Sequence, residues 1–351
     1  MRKVTGVRLQ EFARSVLVSV GVPHKDALVI SESLVQANLE GIDSHGVSRL
    51  PVYVQRMLEG RINVRPELRI ARRGCILKVD GDNGLGQVVS CRSIESAIPV
   101  AKKWGIAAVF IRHSNHNGAG AFFCQQAIKE NIILMAMTNT PPGISPTGGK
   151  EARLGTNPIA FGFPVKKGPP IIVDFASSKV ARGKIILAAR QNRTIPSGWA
   201  VDVNGMNTTD AHSALKGSMI PVGGAKGYAL ATAIELFCGV LSGAAFGTQV
   251  GSINEDQGQS HANIGHHFIL YYFPHFISEE EYYTRMECFL RMIKETPLSQ
   301  NSNGIYYPGE RRYQRYLKRK RKGICLSDQV WKDLNELAHK LSLPALSDAK
   351  L

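Results

Sequence analysis

The chain has 351 residues, with 43 Lys plus Arg against 28 Asp plus Glu, a formal net charge of +15 and a hydrophobic fraction of 44%. These values exclude a disordered, collagenous or disulfide-stapled chain and leave a globular protein large enough for more than one lobe. Eight of the basic side chains crowd into residues 311–322 (RRYQRYLKRKRK) with no acid among them; removing them takes +15 to +7, so one segment carries more than half of the excess.

Arg2 and Lys3 are followed by an amphipathic pattern rather than an apolar run, so no signal peptide is expected. Leu9, Phe12, Ala13, Val16, Leu17 and Val20 recur at the spacing of one helical face, and Gly21 stops that helix. A second helix is expected from Lys25 to Glu40, ending at Gly41, and a third from Ser48 to Gly60. Between them the loop GIDSHGVSR carries polar side chains between glycines. From about residue 75 short apolar runs alternate with helical patterns. Strands are predicted at 76–79, 107–111 and 132–138, with helices at 88–103 and 119–129, which is a βαβ rhythm. Further strands are expected at 159–163, 171–175 and 268–273. The run 227–247 is apolar, but Glu235 at its middle and its many small residues predict a buried soluble helix rather than a membrane span. Ser278 and Glu281 form a capping-box pattern for the helix that follows. The cysteines, at 75, 91, 124, 238, 288 and 325, form no CxxC pair and read as reduced thiols of a cytoplasmic protein.

No Walker A, HExxH, GxSxG or complete GxGxxG motif is present. Polar residues instead collect at the predicted element ends. His45 lies in DSHG with Arg49 four residues on; an imidazole exchanges a proton near neutral pH and a guanidinium grips a carboxylate with two parallel hydrogen bonds. A helix-capping role for that His is the plain alternative. His116, in HSNHNGAG, and Thr138 with Asn139, in MTNTPPG, follow two strands of one βαβ unit, so both turns are expected at one crevice. His113 and His116 as a metal pair would lack a third ligand, and no metal site is assigned. Lys226, in GGAKGY, sits where a helix begins and suits phosphate or a carboxamide oxygen, with a plain surface loop as the alternative.

Nine segments, DSHGVSR (43–49), DGDNGLGQ (80–87), SNHNGAG (114–120), PTGGKEARLGTNPIAFGFP (146–164), VDFASS (173–178), IPSGWAVDVNG (195–205), GGAKGYAL (223–230), GAAFG (243–247) and YYPGE (306–310), occur in an order that resembles the type-2 malate/L-lactate dehydrogenase family, which includes ureidoglycolate dehydrogenase and diketogulonate reductase. The resemblance implies an α/β fold whose NAD(P)-binding domain is not of the Rossmann type and holds a mixed sheet. A helical domain is then built from both chain ends. It also implies a homodimer. Boundaries are expected at 1–72, 73–310 and 311–351.

Carried over position by position, His45 matches a catalytic acid/base, Ser44 a proton-relaying neighbour and His116 a histidine assigned as base in the ureidoglycolate enzyme. Of the two histidines, His45 is favoured because its loop also carries Arg49. Arg49, Tyr53, Asn139, Thr156 and Asn157 match substrate-pocket positions. Ile172, Val173, Asp174, Phe175, Ala176, Ser177, Ser178, Ala225, Lys226, Gly309, Glu310 and Arg311 match cofactor-contacting positions. The cofactor implied is NAD, with NADP open because Arg311, with Arg312 beside it, follows the YYPGE motif. The rest of the basic segment is then expected to form a solvated helix. The activity implied is hydride transfer between nicotinamide and C2 of a small (S)-2-hydroxy or 2-keto acid, malate or L-lactate by default. Pro141 stands where the ureidoglycolate enzyme has an acid, which weakens that alternative, while Tyr53 supports it. Nucleic-acid binding through 311–322, where Tyr313 and Tyr316 interleave with the cations, is the reading from another class.

Overall fold

Apolar spacing in the first sixty residues produces helices α1 (Gly6–Ser19), α2 (His24–Leu39) and α3 (Leu50–Leu58). The Thr5 side chain caps α1 by accepting from the Arg8 N–H, and the predicted face is the buried one, with Leu9, Ala13, Val16 and Leu17 inaccessible to solvent. The third helix starts two residues later than expected, because Asp43–His45 and Val47–Arg49 first form two 3-10 turns. The structure is a computed structural model describing residues 2–253 and 261–347; the last four residues of the C-terminal segment lie outside it.

The middle of the chain forms a seven-stranded mixed sheet in the order Arg69–Arg73, Ile76–Gly84, Ile106–Ser114, Ile264–Tyr272, Ile132–Thr138, Ile159–Phe163, Ile171–Phe175. Its central member corrects the predicted βαβ adjacency. Strand 264–272, four residues longer at its start than expected, lies antiparallel between 106–114 and 132–138. Its residues are buried from Ile264 through Phe268, as a strand covered on both faces must be. Helices α4 (Gly86–Trp104) and α5 (Gly120–Ile128) cover one face around Phe122, Phe123, Val109 and Phe268. A bulge at Gly265 brings strand 264–272 against the Cys238 carbonyl, where an added Cβ would lie 1.6 Å from the oxygen. Gly265→Ala is therefore expected to cost about 3 kcal/mol or more by overpacking, measurable as a lowered denaturation midpoint; an unchanged midpoint would contradict this packing.

A smaller lobe holds α6 (Arg182–Arg190), α7 (Ala211–Lys216) and a five-stranded sheet of two- and three-residue strands, too short to be read from apolar periodicity. Next comes α8 (Ala225–Glu235), continued by a π-helical turn over Leu236–Leu241. Only half of the expectation of a buried helix holds. Ile234, Glu235 and Cys238 are buried, while Leu236, Phe237, Val240 and Leu241 are exposed on the other face. Among the described residues no helix is long and apolar enough to cross a membrane. Ser278 caps α9 (Glu279–Lys294) as predicted, accepting from the Glu281 N–H.

The chain then returns to its beginning through α10 (Glu310–Lys322) and α11 (Asp328–Lys340). Strand Ile324–Leu326 pairs antiparallel with Arg2–Val4, and Trp331, Leu334 and Leu337 join Leu9, Leu17, Leu34 and Leu50 in one core. Both chain ends thus share a single apolar interior.

Candidate active site

The DSHG loop is held from beneath by a buried amide. Asn38 Nδ2 donates to Asp43 Oδ1 at 2.7 Å, and its Oδ1 accepts from the Val47 N–H at 2.9 Å. Gly46 is required here by close approach, since a Cβ would meet Asn38 Oδ1 at 2.2 Å. Arg319 of α10 donates to both Asp43 oxygens, at 2.7 and 3.1 Å, and to the Asn38 carbonyl. The loop is therefore clamped by helices from both ends of the chain.

Within it, Ser44 Oγ is 3.0 Å from His45 Nδ1, and Arg49 Nε donates to the Ser44 carbonyl at 3.0 Å. His116 arrives from the turn after strand 106–114. Its Nδ1 is 2.6 Å from the Tyr53 hydroxyl, to which Gln87 Nε2 donates at 3.3 Å. The two imidazoles face one another with ring centroids 5.5 Å apart. Ser44, His45, Arg49, Tyr53 and His116 are thus one cluster, as the sequence led one to expect. Burial pushes His45 down to about 4, helped by Arg49 and Arg312 and opposed by Asp174. Burial, then Arg49 and His45, hold His116 well below the ordinary histidine range. Both rings are therefore neutral at pH 7, while burial raises the Tyr53 phenol and keeps it protonated.

Asn139 and Asn157 have other partners than the histidines. Both are buried and both donate to the buried Glu235 carboxylate, at 3.2 and 2.6 Å. Asn139 Oδ1 also accepts from the Gly265 N–H and Asn157 Oδ1 from the Thr140 N–H. Their polar atoms tie the strand ends together rather than facing the histidines. Thr156 lies alongside, its N–H bonded to Thr140 Oγ1 at 2.9 Å and its carbonyl accepting from Ser177.

The cofactor-motif segments form one continuous run. Ile172 N–H donates to the Pro308 carbonyl at 3.1 Å, and Gly309 packs where a Cβ would stand 2.8 Å from Ile172 N. At the other end Val222 N–H donates to the Ser177 carbonyl, which leads to Gly223, Gly224 and then Ala225 and Lys226 in the first turn of α8. Val173, Phe175, Ala176 and Ser178 lie between, with the strand ending at Phe175. Asp174 is partly spent on the fold: its Oδ2 accepts from the Ala121 N–H and from Arg312. Glu310 is bonded to Lys294 at 2.5 and 2.6 Å, and Arg311 is exposed over the Tyr306 ring at 4.4 Å.

The basic segment is not simply solvated. Arg312 is bonded to the 172–178 run itself, its guanidinium bridging Asp174 at 3.1 Å and Glu40 at 3.0 Å. Arg319, seven residues on and on the same helix face, binds Asp43. His113 pairs with Asp80 at 3.0 Å and His116 with Tyr53, so the two histidines take different partners. Sequence reasoning overlooked Gln87, although DGDNGLGQ contains it. It also overlooked His266, buried and bonded to Thr138 and Ser114 at 2.8 and 2.9 Å, and near enough to lower His116.

A family model described as malate/L-lactate dehydrogenase matches residues 4–335. Malate dehydrogenase of Pyrococcus horikoshii is 36% identical over 348 residues, covering 97% of this chain and 95% of that one. Its solved structure matches with a TM-score of 0.89, covering 98% and 96% of the two chains. (2R)-3-Sulfolactate dehydrogenase (NADP(+)) of Chromohalobacter salexigens is 36% identical over 314 residues (89% and 92%). Ureidoglycolate dehydrogenase (NAD(+)) of Escherichia coli K12 is 33% identical over 335 residues (95% of each).

Proposed function

Since the chain belongs to the malate/L-lactate dehydrogenase family and is an NAD(P)-dependent dehydrogenase of small hydroxy acids, we propose that it interconverts a small (S)-2-hydroxy acid and its 2-keto acid at the His45–His116 cluster. The observation that carries this reading is the convergence of two neutral imidazoles and the Arg49 guanidinium on one loop and one turn.

The residues present fit the nicotinamide dinucleotide. Gly223 and Gly224 have φ of +63 and +64°, and a Cβ at either would meet nothing within 4 Å, so an open glycine cradle precedes the α8 N-terminus and Lys226. Ile172–Ser178 would hold its length and Gly309–Arg311 its far end. When bound it accepts or returns the C2 hydride.

The protein orients and moves the proton. Arg49 holds the C1 carboxylate through its guanidinium. Gln87 donates into the Tyr53 oxygen, so the Tyr53 proton is left for His116 Nδ1. That tautomer places the His116 proton on Nε2, making His116 a donor to the substrate oxygen. His45 then takes the hydroxyl proton, with Ser44 as its relay. Oxidation requires neutral His45, so its kcat/KM is expected to stay level as pH falls through 6.5 and to decline only toward pH 4; the reduction, which requires the protonated ring, quickens over the same interval. A break at 6.5 in the oxidation profile would remove His45 from this role.

Exposed Leu236, Phe237, Val240, Leu241 and Phe246 form an apolar face suited to a second copy of the chain, and we place the protein as a homodimer in the cytoplasm. Malate or L-lactate is the default substrate pair, with ureidoglycolate the alternative. NADH and NADPH turnover over pyruvate, oxaloacetate and glyoxylate derivatives tests this assignment. No cofactor-dependent turnover, with tight salt-dependent binding of random oligonucleotides, would replace it by the nucleic-acid reading.

A further inference from the structure

The catalytic loop has a wall that the reading above leaves without a role. Gly183, in the first turn of α6, comes so close to Ser44 that a Cβ on it would stand 3.4 Å from the Ser44 Cβ. Its neighbour Arg182 therefore borders the loop that carries His45. Arg182 is exposed, yet enough protein surrounds its guanidinium for burial alone to lower its pKa, with no charged neighbour acting on it. The other arginines around the loop are spent: Arg312 on Glu40 and Asp174, Arg319 on Asp43. Arg49 is taken by the C1 carboxylate in the reading above. Among the described residues Arg182 makes no ion pair.

We propose that Arg182 is the specificity-determining residue for a second anionic group, carried on C3 of the substrate. The inference rests on the proposed 2-hydroxy acid chemistry. With C1 held by Arg49 and the C2 oxygen between the imidazoles, the C3 substituent is left to reach the wall that α6 shares with Ser44. An anion there needs a cation, because a charge drawn into a protein-lined cleft without a partner is strongly disfavoured. A methyl group at C3 needs none. Carboxylate and sulfonate share the required chemistry, and the substrates tested separate them.

The experiment compares wild type, Arg182→Ala and Arg182→Lys on oxaloacetate, on the 3-sulfonate analogue of pyruvate and on pyruvate itself, with NADH and NADPH. In Arg182→Ala, kcat/KM is expected to fall roughly 10- to 100-fold for one or both dianions, mainly through KM, and less than about twofold for pyruvate. Lys should restore part of the loss. An equal loss on pyruvate, or no loss on either dianion, would overturn the subsite. Absence of turnover on every keto acid by a folded wild type would instead sink the underlying reading, and this proposal with it.

Discussion

Arg312→Ala is expected to destabilise the protein by about 3–5 kcal/mol. Arg312 is the common partner of Glu40 at the C-cap of α2 and Asp174 on the edge strand, whose side chains are 4% and 13% exposed. Burial disfavours its charge, but the two carboxylates more than offset this and raise its pKa. Glu40 is also bonded to Gln36 and Gln125, and Asp174 to the first turn of α5, so removing the cation strands two buried anions among fixed donors. Urea unfolding would measure the loss; a change under 1 kcal/mol would mean that the triad is solvated. The same variant has a kinetic signature. Arg312 lowers the His45 pKa and Asp174 raises it, so without Arg312 the acid limb of the oxidation profile should move upward.

His45→Ala is expected to lower kcat by about 10²- to 10⁴-fold, the usual contribution of a positioned acid/base, with little change in cofactor affinity. His116→Ala and Tyr53→Phe should cost less, because in the proposed arrangement His116 donates a hydrogen bond rather than taking the proton. If His45→Ala kept near-normal turnover while His116→Ala abolished it, the roles would be exchanged. The assignment turns on the Gln87 amide, which sets the direction of the Tyr53 proton.

Much of this site was legible before any coordinates. DSHGVSR placed Ser44, His45 and Arg49 on one loop, where a few residues of chain suffice to bring them together. His116 came from motif order, and the fold sets it beside His45; the 172–178, 223–226 and 306–311 segments came from the same order and adjoin one another through backbone hydrogen bonds. Asn139 and Asn157 show the limit of such reading, because their motifs place them near the pocket but not which partner consumes their amides. That partner, Glu235, is about eighty and a hundred residues away in sequence.

Sequence by itself determined the local elements, through apolar period, caps and glycines: the face of α1, strand 132–138, and the Ser278 cap. It also determined the family, through many short motifs in order. Only the tertiary structure decided that strand 264–272 enters the middle of the sheet and that both chain ends share a core. It alone showed that the cluster of charge on 311–322 is partly spent inward. Strand order and ion pairing depend on contacts between segments more than a hundred residues apart, and no periodicity along the chain encodes the partner. Arg312 and Arg319 resemble the other cations of α10 in sequence; their distinction is that a seven-residue spacing turns both toward carboxylates of the N-terminal half.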